Sequence, residues 1–198
     1  MKKALKTDKD KVVKIICESF DKNPHINVII KNDRNRSKRM ITMAEYAFEI
    51  GYRRNGVILT EDELGVVIIF PNNKMKKNLY EYWLQFCLIF KSITLFRTFK
   101  VSKLESVIKK NRASNADYLY LWFFGVANDA LGSNNARELM KYVFQLSSEK
   151  KLPIYMETSI KRNNIIYKRF GFKDYNKLNT GFNDLTMWYM KRSYNHPY

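Results

Sequence analysis

A chain of 198 residues that is 45% hydrophobic and 15% aromatic has the size and apolar mass of one folded domain, and its composition excludes a disordered segment. Its net charge of +17 points to an anionic partner such as nucleic acid, an acidic membrane or an anionic small ligand, without fixing the fold. Its two cysteines, Cys17 and Cys87, lie in apolar helical patterns with no Cys or His nearby in sequence, which excludes a disulfide framework and a zinc site and suits buried thiols in a reducing cytoplasm.

In chain order, Thr7 with Asp10 reads as a capping arrangement. Val12, Val13, Ile16, Cys17 and Phe20 then follow helical spacing up to Asn23-Pro24, where the first helix is expected to end. After a basic, polar stretch, Met40, Met43, Ala44, Ala47 and Phe48 mark one face of a second helix. Gly56 opens a strand over Val57 to Thr60, and Glu61-Asp62-Glu63 turns it into a partner from Leu64 to Phe70, stopped by Pro71. Residues from about 76 to 110 read as one long or two broken helices. The most apolar part, Tyr80 to Phe99, is interrupted by Gln85, Lys91 and Arg97, so it reads as a buried or groove-lining helix, since a membrane span needs about 20 mostly apolar residues. No apolar signal core follows Met1-Lys2-Lys3.

The run Tyr118 to Val126 predicts a strand buried on both faces. A helix follows over 136–149, with Leu139, Met140, Val143, Phe144 and Leu146 as its buried stripe. Then come a strand from Pro153 to Thr158, a short helix near 163–170 ended by Gly171, and two strands near Phe172 to Tyr175 and Leu185 to Lys191. The order αα-ββ-αα-β-α-β-α-ββ predicts a single α/β domain with a mixed sheet.

The stretch 118–172 carries the chemistry. A strand runs into a loop of small and polar residues (Leu131, Gly132, Ser133, Asn134, Asn135, Ala136), and a helix begins there. Unpaired backbone amides and the helix dipole make such a junction a cradle for phosphate, or a turn held only by its own chemistry. Asn163 and Tyr167, four residues apart, share a helix face and can offer an amide and a phenol to a ligand; the alternative is a helix N-cap at Asn163 with a half-buried Tyr167. The aromatic side chains of 80–99 and 118–124 (Tyr80, Tyr82, Trp83, Phe86, Trp122, Phe123) are expected mainly in the core, with an acceptor pocket as the other possibility.

The segment Phe124-Gly125-Val126, the loop 131–136, Glu157-Thr158-Ser159 and Asn163-x-x-x-Tyr167-x-x-x-Gly171-Phe172 resemble consecutive motifs of the GNAT acetyltransferases, in a pattern closest to puromycin N-acetyltransferases. Fainter similarity extends to Asn23-Pro24, Gly56-Val57, Gly65-Val66 and Trp188 with Met190. The resemblance implies a mixed, mostly antiparallel sheet flanked by helices, whose two central strands splay apart after Val126 and near Thr158. Residues 1–116 would form the acceptor side, 117–172 the acetyl-CoA-binding core and 173–198 the closing strands. It also implies that backbone near Phe124 and Val126 pairs with the pantetheine arm of acetyl-CoA, that 131–136 holds its pyrophosphate, that Asn163 bonds the pantetheine and that Tyr167 protonates the leaving thiolate. The family loop reads Gln/Arg-Gly-x-Gly-x-Gly/Ala; Gly132 and Ala136 match it, while Leu131 and Asn134 depart, so crowding or reshaping of the loop is expected at 134.

An amine must be neutral to attack, so a proton acceptor is needed; Glu157 is the first candidate and His25 the second. The implied partners are acetyl-CoA and a small-molecule primary amine, with no metal and no membrane or nucleic-acid partner. Two readings stand beside this one: a non-catalytic module of the same fold that senses CoA or binds a partner, and a basic nucleic-acid-associated protein.

Overall fold

The computed structural model describes residues 1–72, 78–93, 95–112 and 117–196. In chain order it contains β1 (Lys2–Lys3), α1 (Lys9–Phe20), α2 (Pro24–Ile29), α3 (Arg36–Arg53), β2 (Val57–Leu59), β3 (Gly65–Pro71) and α4 (Leu79–Leu88), then a π-helical stretch (Ile89–Ile93) and α5 (Leu95–Lys110). There follow β4 (Leu119–Val126), α6 (Asn135–Lys150), β5 (Ile154–Thr158), α7 (Lys161–Arg169), β6 (Lys173–Asn179) and β7 (Thr186–Arg192). The seven strands form one sheet in the order β1-β2-β3-β4-β5-β7-β6. Every neighbouring pair is antiparallel except β4 and β5, which run parallel. This is the mixed, mostly antiparallel sheet expected from the sequence.

Three apolar clusters hold the layers together. α1 and α3 cover one face of β2–β4 with Val12, Ile16, Met40, Ala44 and Phe48, all buried. α6 and α7 cover the other face through Leu139, Val143, Phe144 and Tyr167. α5 lies against β7, where Leu104 and Ile108 meet Met187 and Tyr189. Each Val, Leu, Ile, Met or Phe among them taken fully out of water contributes roughly 1.5–3 kcal/mol, so the periodic stripes read from the sequence are a main source of the driving force.

Several local expectations are corrected. The first helix ends at Phe20, and Asn23-Pro24 starts a further helix: Asn23 accepts hydrogen bonds from the amides of His25 and Ile26, and the proline sits in the first turn, where its missing N–H costs nothing. Asp8, not Thr7, occupies the N-cap position of α1, and its carboxylate accepts from the Leu5 amide at 2.8 Å, closing the short turn that precedes the helix. β1 is too short to leave a periodic signal. The helical stretch after β3 is broken by the π-helical turn; residues 76–77 lie outside the described residues. β4 is not buried evenly: Leu119, Leu121, Phe123 and Gly125 are buried, while Tyr120, Trp122, Phe124 and Val126 are half-buried. Among the described residues no helix is long and apolar enough to cross a membrane.

Two irregularities in β4 position the site. Ile69 pairs with Leu121 and its neighbour Ile68 with Phe123, which leaves Trp122 as the extra residue of a β-bulge. On its other edge, among the described residues, β4 pairs with β5 only at Leu119↔Ile154 and Tyr120↔Tyr155, although both strands continue. The central strands therefore part after Tyr120 and Tyr155, earlier than the sequence expectation of Val126 and Thr158, and open a wedge beside Trp122, Phe124 and Glu157.

Candidate active site

A cavity of about 910 Å³ occupies the α1/α3/α5 face and runs into this wedge. Its walls include Phe124 of β4, Glu157 and Thr158 of β5, and Asn163 and Tyr167 of α7. The structure therefore brings Phe124, Glu157, Asn163, Tyr167 and His25, all singled out in the sequence, into one space. Val126, the last residue of β4, does not line it, nor does the loop Leu131 to Ala136, which lies beyond the end of β4 at the start of α6.

Backbone groups in a strand alternate between its two edges. The Ala127 amide donates to Leu64 C=O at 2.7 Å on the β3 side, so alternation turns the backbone of Phe124 and Val126 toward the wedge. The Ser19 hydroxyl donates to Val126 C=O at 3.0 Å. Next in the chain, Gly132 has φ +87° and open space around the position a side chain would take. Leu131 is exposed. Ser133 takes the Asn135 amide through its hydroxyl at 3.3 Å. Among the described residues, no acceptor of the chain takes the amide hydrogens of Gly132, Asn134, Ala136 or Arg137. The crowding expected at Asn134 does not arise: its backbone is right-handed, at φ −78°, and its side chain turns away to Glu138 Oε1 at 3.2 Å.

Asn135 is buried and donates to Asp62 Oδ2 at 2.9 Å, which ties the start of α6 to the β2–β3 turn. Asp62 also accepts from the Thr60 hydroxyl at 2.6 Å and the Leu64 amide at 3.0 Å. The Thr60 bond leads these in holding the Asp62 carboxyl below its ordinary value. The role of Asp62 has no signal in the sequence beyond an acidic residue in a turn.

α7 begins after Ile160, so Asn163 is not its N-cap; it sits one turn inside, on the same face as Tyr167. Gly171 ends the helix at φ +82°, and the Phe172 amide bonds Tyr167 C=O at 3.1 Å, which fixes the backbone under the Tyr167 ring. The Tyr167 side chain is buried, with Phe172 against its ring at 5.6 Å. Among the described residues nothing hydrogen-bonds its hydroxyl. Burial raises the Tyr167 phenol above its ordinary value, so it keeps its proton at neutral pH.

Glu157 lies in the cavity wall, but both its oxygens are taken. Arg112 Nε reaches Oε1 at 2.6 Å and Arg112 Nη2 reaches Oε2 at 2.8 Å, a bidentate pair, and the Tyr120 hydroxyl donates to Oε2 at 2.7 Å. The Glu157 side chain is only 7% exposed. Burial, followed by the Glu157 charge, drives the Tyr120 phenol well above its usual value. A carboxylate so occupied anchors a buried network.

A second acid–base pair shares the cavity. His25 Nε2 lies 3.1 Å from Glu105 Oε1, and the His25 amide is 3.3 Å from Ser159 Oγ, just past the end of β5. Burial works to raise the Glu105 carboxyl, but the hydrogen bond and charge of His25, helped by Lys109 and Arg112, outweigh it and hold the group below its ordinary value. Glu105 was missed in sequence because it lies 80 residues from His25 and nothing local marks the pair.

Of the six aromatic residues noted at the sequence level, Trp122 and Phe123 line the cavity, whereas Tyr80, Tyr82, Trp83 and Phe86 are exposed on α4 and belong to neither core nor pocket. Cys17 is half-buried, and burial pushes its thiol up to about 11, which makes it unreactive. No group of ligating side chains that could hold a metal occurs among the described residues.

The architecture is that of GNAT acetyltransferases. It superimposes with a TM-score of 0.71 on a solved histone acetyltransferase HPA2 and related acetyltransferase of Corynebacterium glutamicum, at 17% identity over 99% of this chain and 96% of that one. The arylalkylamine N-acetyltransferase 2 of Aedes aegypti gives a TM-score of 0.64 at 11% identity, covering 98% of each chain. In sequence, 53 residues are 38% identical to an uncharacterized N-acetyltransferase of Schizosaccharomyces pombe; that stretch is 27% of this chain and 22% of the relative, so the match spans about a fifth of the relative's length. No protein-family model matches the chain.

Proposed function

We propose that the protein is an N-acetyltransferase that moves an acetyl group from acetyl-CoA to the primary amine of a small molecule by direct attack. The observation that carries this reading is the wedge between β4 and β5, with unpaired amides at the start of α6 beyond one end and the unpartnered hydroxyl of Tyr167 inside. Bound acetyl-CoA would supply an activated acyl thioester. The exposed edge of β4 at Phe124 and Val126 suits an extended amide-bearing arm, which adds to a sheet edge as a strand does. Gly132, Ser133, Asn134, Asn135 and Ala136, with Leu131 at the loop's outer turn, suit a diphosphate: the backbone approaches closely at Gly132 and the helix dipole favours the negative charge.

Tyr167 is assigned the proton that the departing sulfur requires, because its phenol is protonated, buried and free of other partners. Asn163, on the same face, is assigned to orient the arm. His25, backed by Glu105, receives the proton of the incoming ammonium, while Glu157 keeps Arg112 and Tyr120 in place and is the less available acceptor for the reason of occupancy given above. The aromatic wall at Trp122 and Phe123 favours an acceptor with an apolar body, in keeping with the arylalkylamine substrate class named for the mosquito enzyme.

Calorimetric titration with acetyl-CoA, followed by thiol-release assays over a panel of arylalkylamines, polyamines and puromycin, tests the reading. Micromolar binding and turnover of at least one amine are expected. Tyr167→Phe should lower turnover by about 100-fold or more with acetyl-CoA affinity within about twofold. No binding at millimolar acetyl-CoA would leave a non-catalytic module of the same fold as the better account.

A further inference from the structure

The inner face of α4, the π-helical turn and α5 lines the cavity through Leu88, Ile89, Ile93 and Val101. Its outer face has a different chemistry. Leu79, Tyr82, Trp83, Phe86 and Phe90 follow the spacing of one helix side, and all are exposed, Leu79 at 89% and Trp83 at 58%. The Trp83 and Phe86 rings stack at 5.6 Å and Phe86 meets Phe90 at 4.2 Å, so the side chains form a continuous aromatic ridge, and Phe99 stands out beyond it. Lone exposed apolar residues are ordinary; a contiguous ridge of this kind marks a contact surface.

The charges around the ridge are of one sign. Lys91, Lys100 and Lys103 are exposed and do not line the cavity, whereas the acidic residues of this stretch turn inward: Glu81 is buried beside Arg54, and Glu105 faces His25 in the cavity. A second copy of the chain would set lysines against lysines and bring together two bodies of net charge +17. An anionic surface complements the ridge, and aromatic side chains flanked by lysines suit the headgroup boundary of a bilayer.

We propose that the outer face of α4–α5 docks on the surface of an anionic phospholipid bilayer, lying on the membrane without crossing it. The proposal is independent of the acyl-transfer reading and would stand if that reading failed. It sets aside the expectation of no membrane partner, which rested on the absence of a spanning segment.

Vesicle flotation tests it, with phosphatidylcholine alone and with about 30 mol% phosphatidylserine. The protein should float with the anionic vesicles and stay in solution with the neutral ones. Replacing Trp83 and Phe86 together by Ser should abolish flotation while the circular dichroism spectrum is kept. Because each lysine near an anionic surface contributes roughly fivefold, Lys100→Glu with Lys103→Glu should weaken binding by about 30-fold or more. Lys141→Glu with Lys150→Glu on α6, equal in charge change and remote in the chain, should cost much less. Equal loss in the two charge pairs, no effect of the aromatic replacements, or failure to float with anionic vesicles would each overturn the proposal. So would a dimer by light scattering that the Trp83 and Phe86 replacements dissolve, or a short single-stranded oligonucleotide bound through the same residues without vesicle binding.

Discussion

Removing Arg112 should expose how much the floor of the cavity depends on one ion pair. Its guanidinium supplies two hydrogen bonds to Glu157 and a third to the Tyr120 hydroxyl, and it also lies over the Tyr120 ring at 4.5 Å. In Arg112→Met the packing volume is largely kept, but Glu157, with 7% of its side chain exposed, is left as a buried carboxylate with only the Tyr120 hydroxyl. Breaking a buried pair costs about 3–5 kcal/mol; the lower end applies because the Arg112 side chain retains 24% exposure and water can follow. For a chain of this size, a loss of about 3 kcal/mol lowers the melting temperature by roughly 6–12 °C. Urea unfolding followed by tryptophan fluorescence gives the free energy directly. Glu157→Gln in the Arg112→Met background should recover part of the loss, since a neutral amide still accepts from Tyr120, giving a coupling energy above about 1.5 kcal/mol in the double-mutant cycle. A single-mutant loss below about 0.5 kcal/mol, or additive effects, would refute the view that Glu157 is held by Arg112 and unavailable as a base.

Other perturbations test the remaining parts of the site. Asp62 has a folded-state value depressed below its ordinary 3.8, so its stabilisation is present above that pH and is lost as pH falls through the folded value; Asp62→Asn should flatten the acid limb of a melting-temperature profile and cost about 1 kcal/mol at neutral pH. Gly132→Ala places a side chain at φ +87° with nothing to clash against, so backbone strain alone should weaken acetyl-CoA binding, by about fivefold or more in calorimetry. Glu105→Gln should lower turnover through His25 while leaving acetyl-CoA affinity within about twofold; an unchanged pH–rate profile would remove the pair from proton transfer.

The layers of the fold were legible because periodicity survives in single residues: Met40, Ala44 and Phe48 on α3, or Leu139, Val143 and Phe144 on α6, are all buried as their spacing requires. The Asn163–Tyr167 pair was legible for the same reason, being a four-residue interval on one helix. What the sequence hid is non-local. Nothing near Glu157 announces Arg112, 45 residues earlier, and a carboxylate beside a cleft looks free until its partner is known. Asn23-Pro24 misled in the opposite direction, because the residues that stop one helix also start another. The aromatic content of α4 points to core, yet its outer face is exposed, because an apolar count cannot tell which side of a helix has a neighbour.

The brief seam between β4 and β5 has a mechanical consequence. Among the described residues two residue pairs are the whole of the strand pairing that joins β1–β4 to β5–β7, so the apolar cluster beneath α6, more than ladder hydrogen bonds, holds the two halves of the sheet together. Amide exchange near the seam should proceed by local parting of the halves rather than by global unfolding. A ligand laid along the open edge would bridge the two strands, and its binding would then slow that exchange.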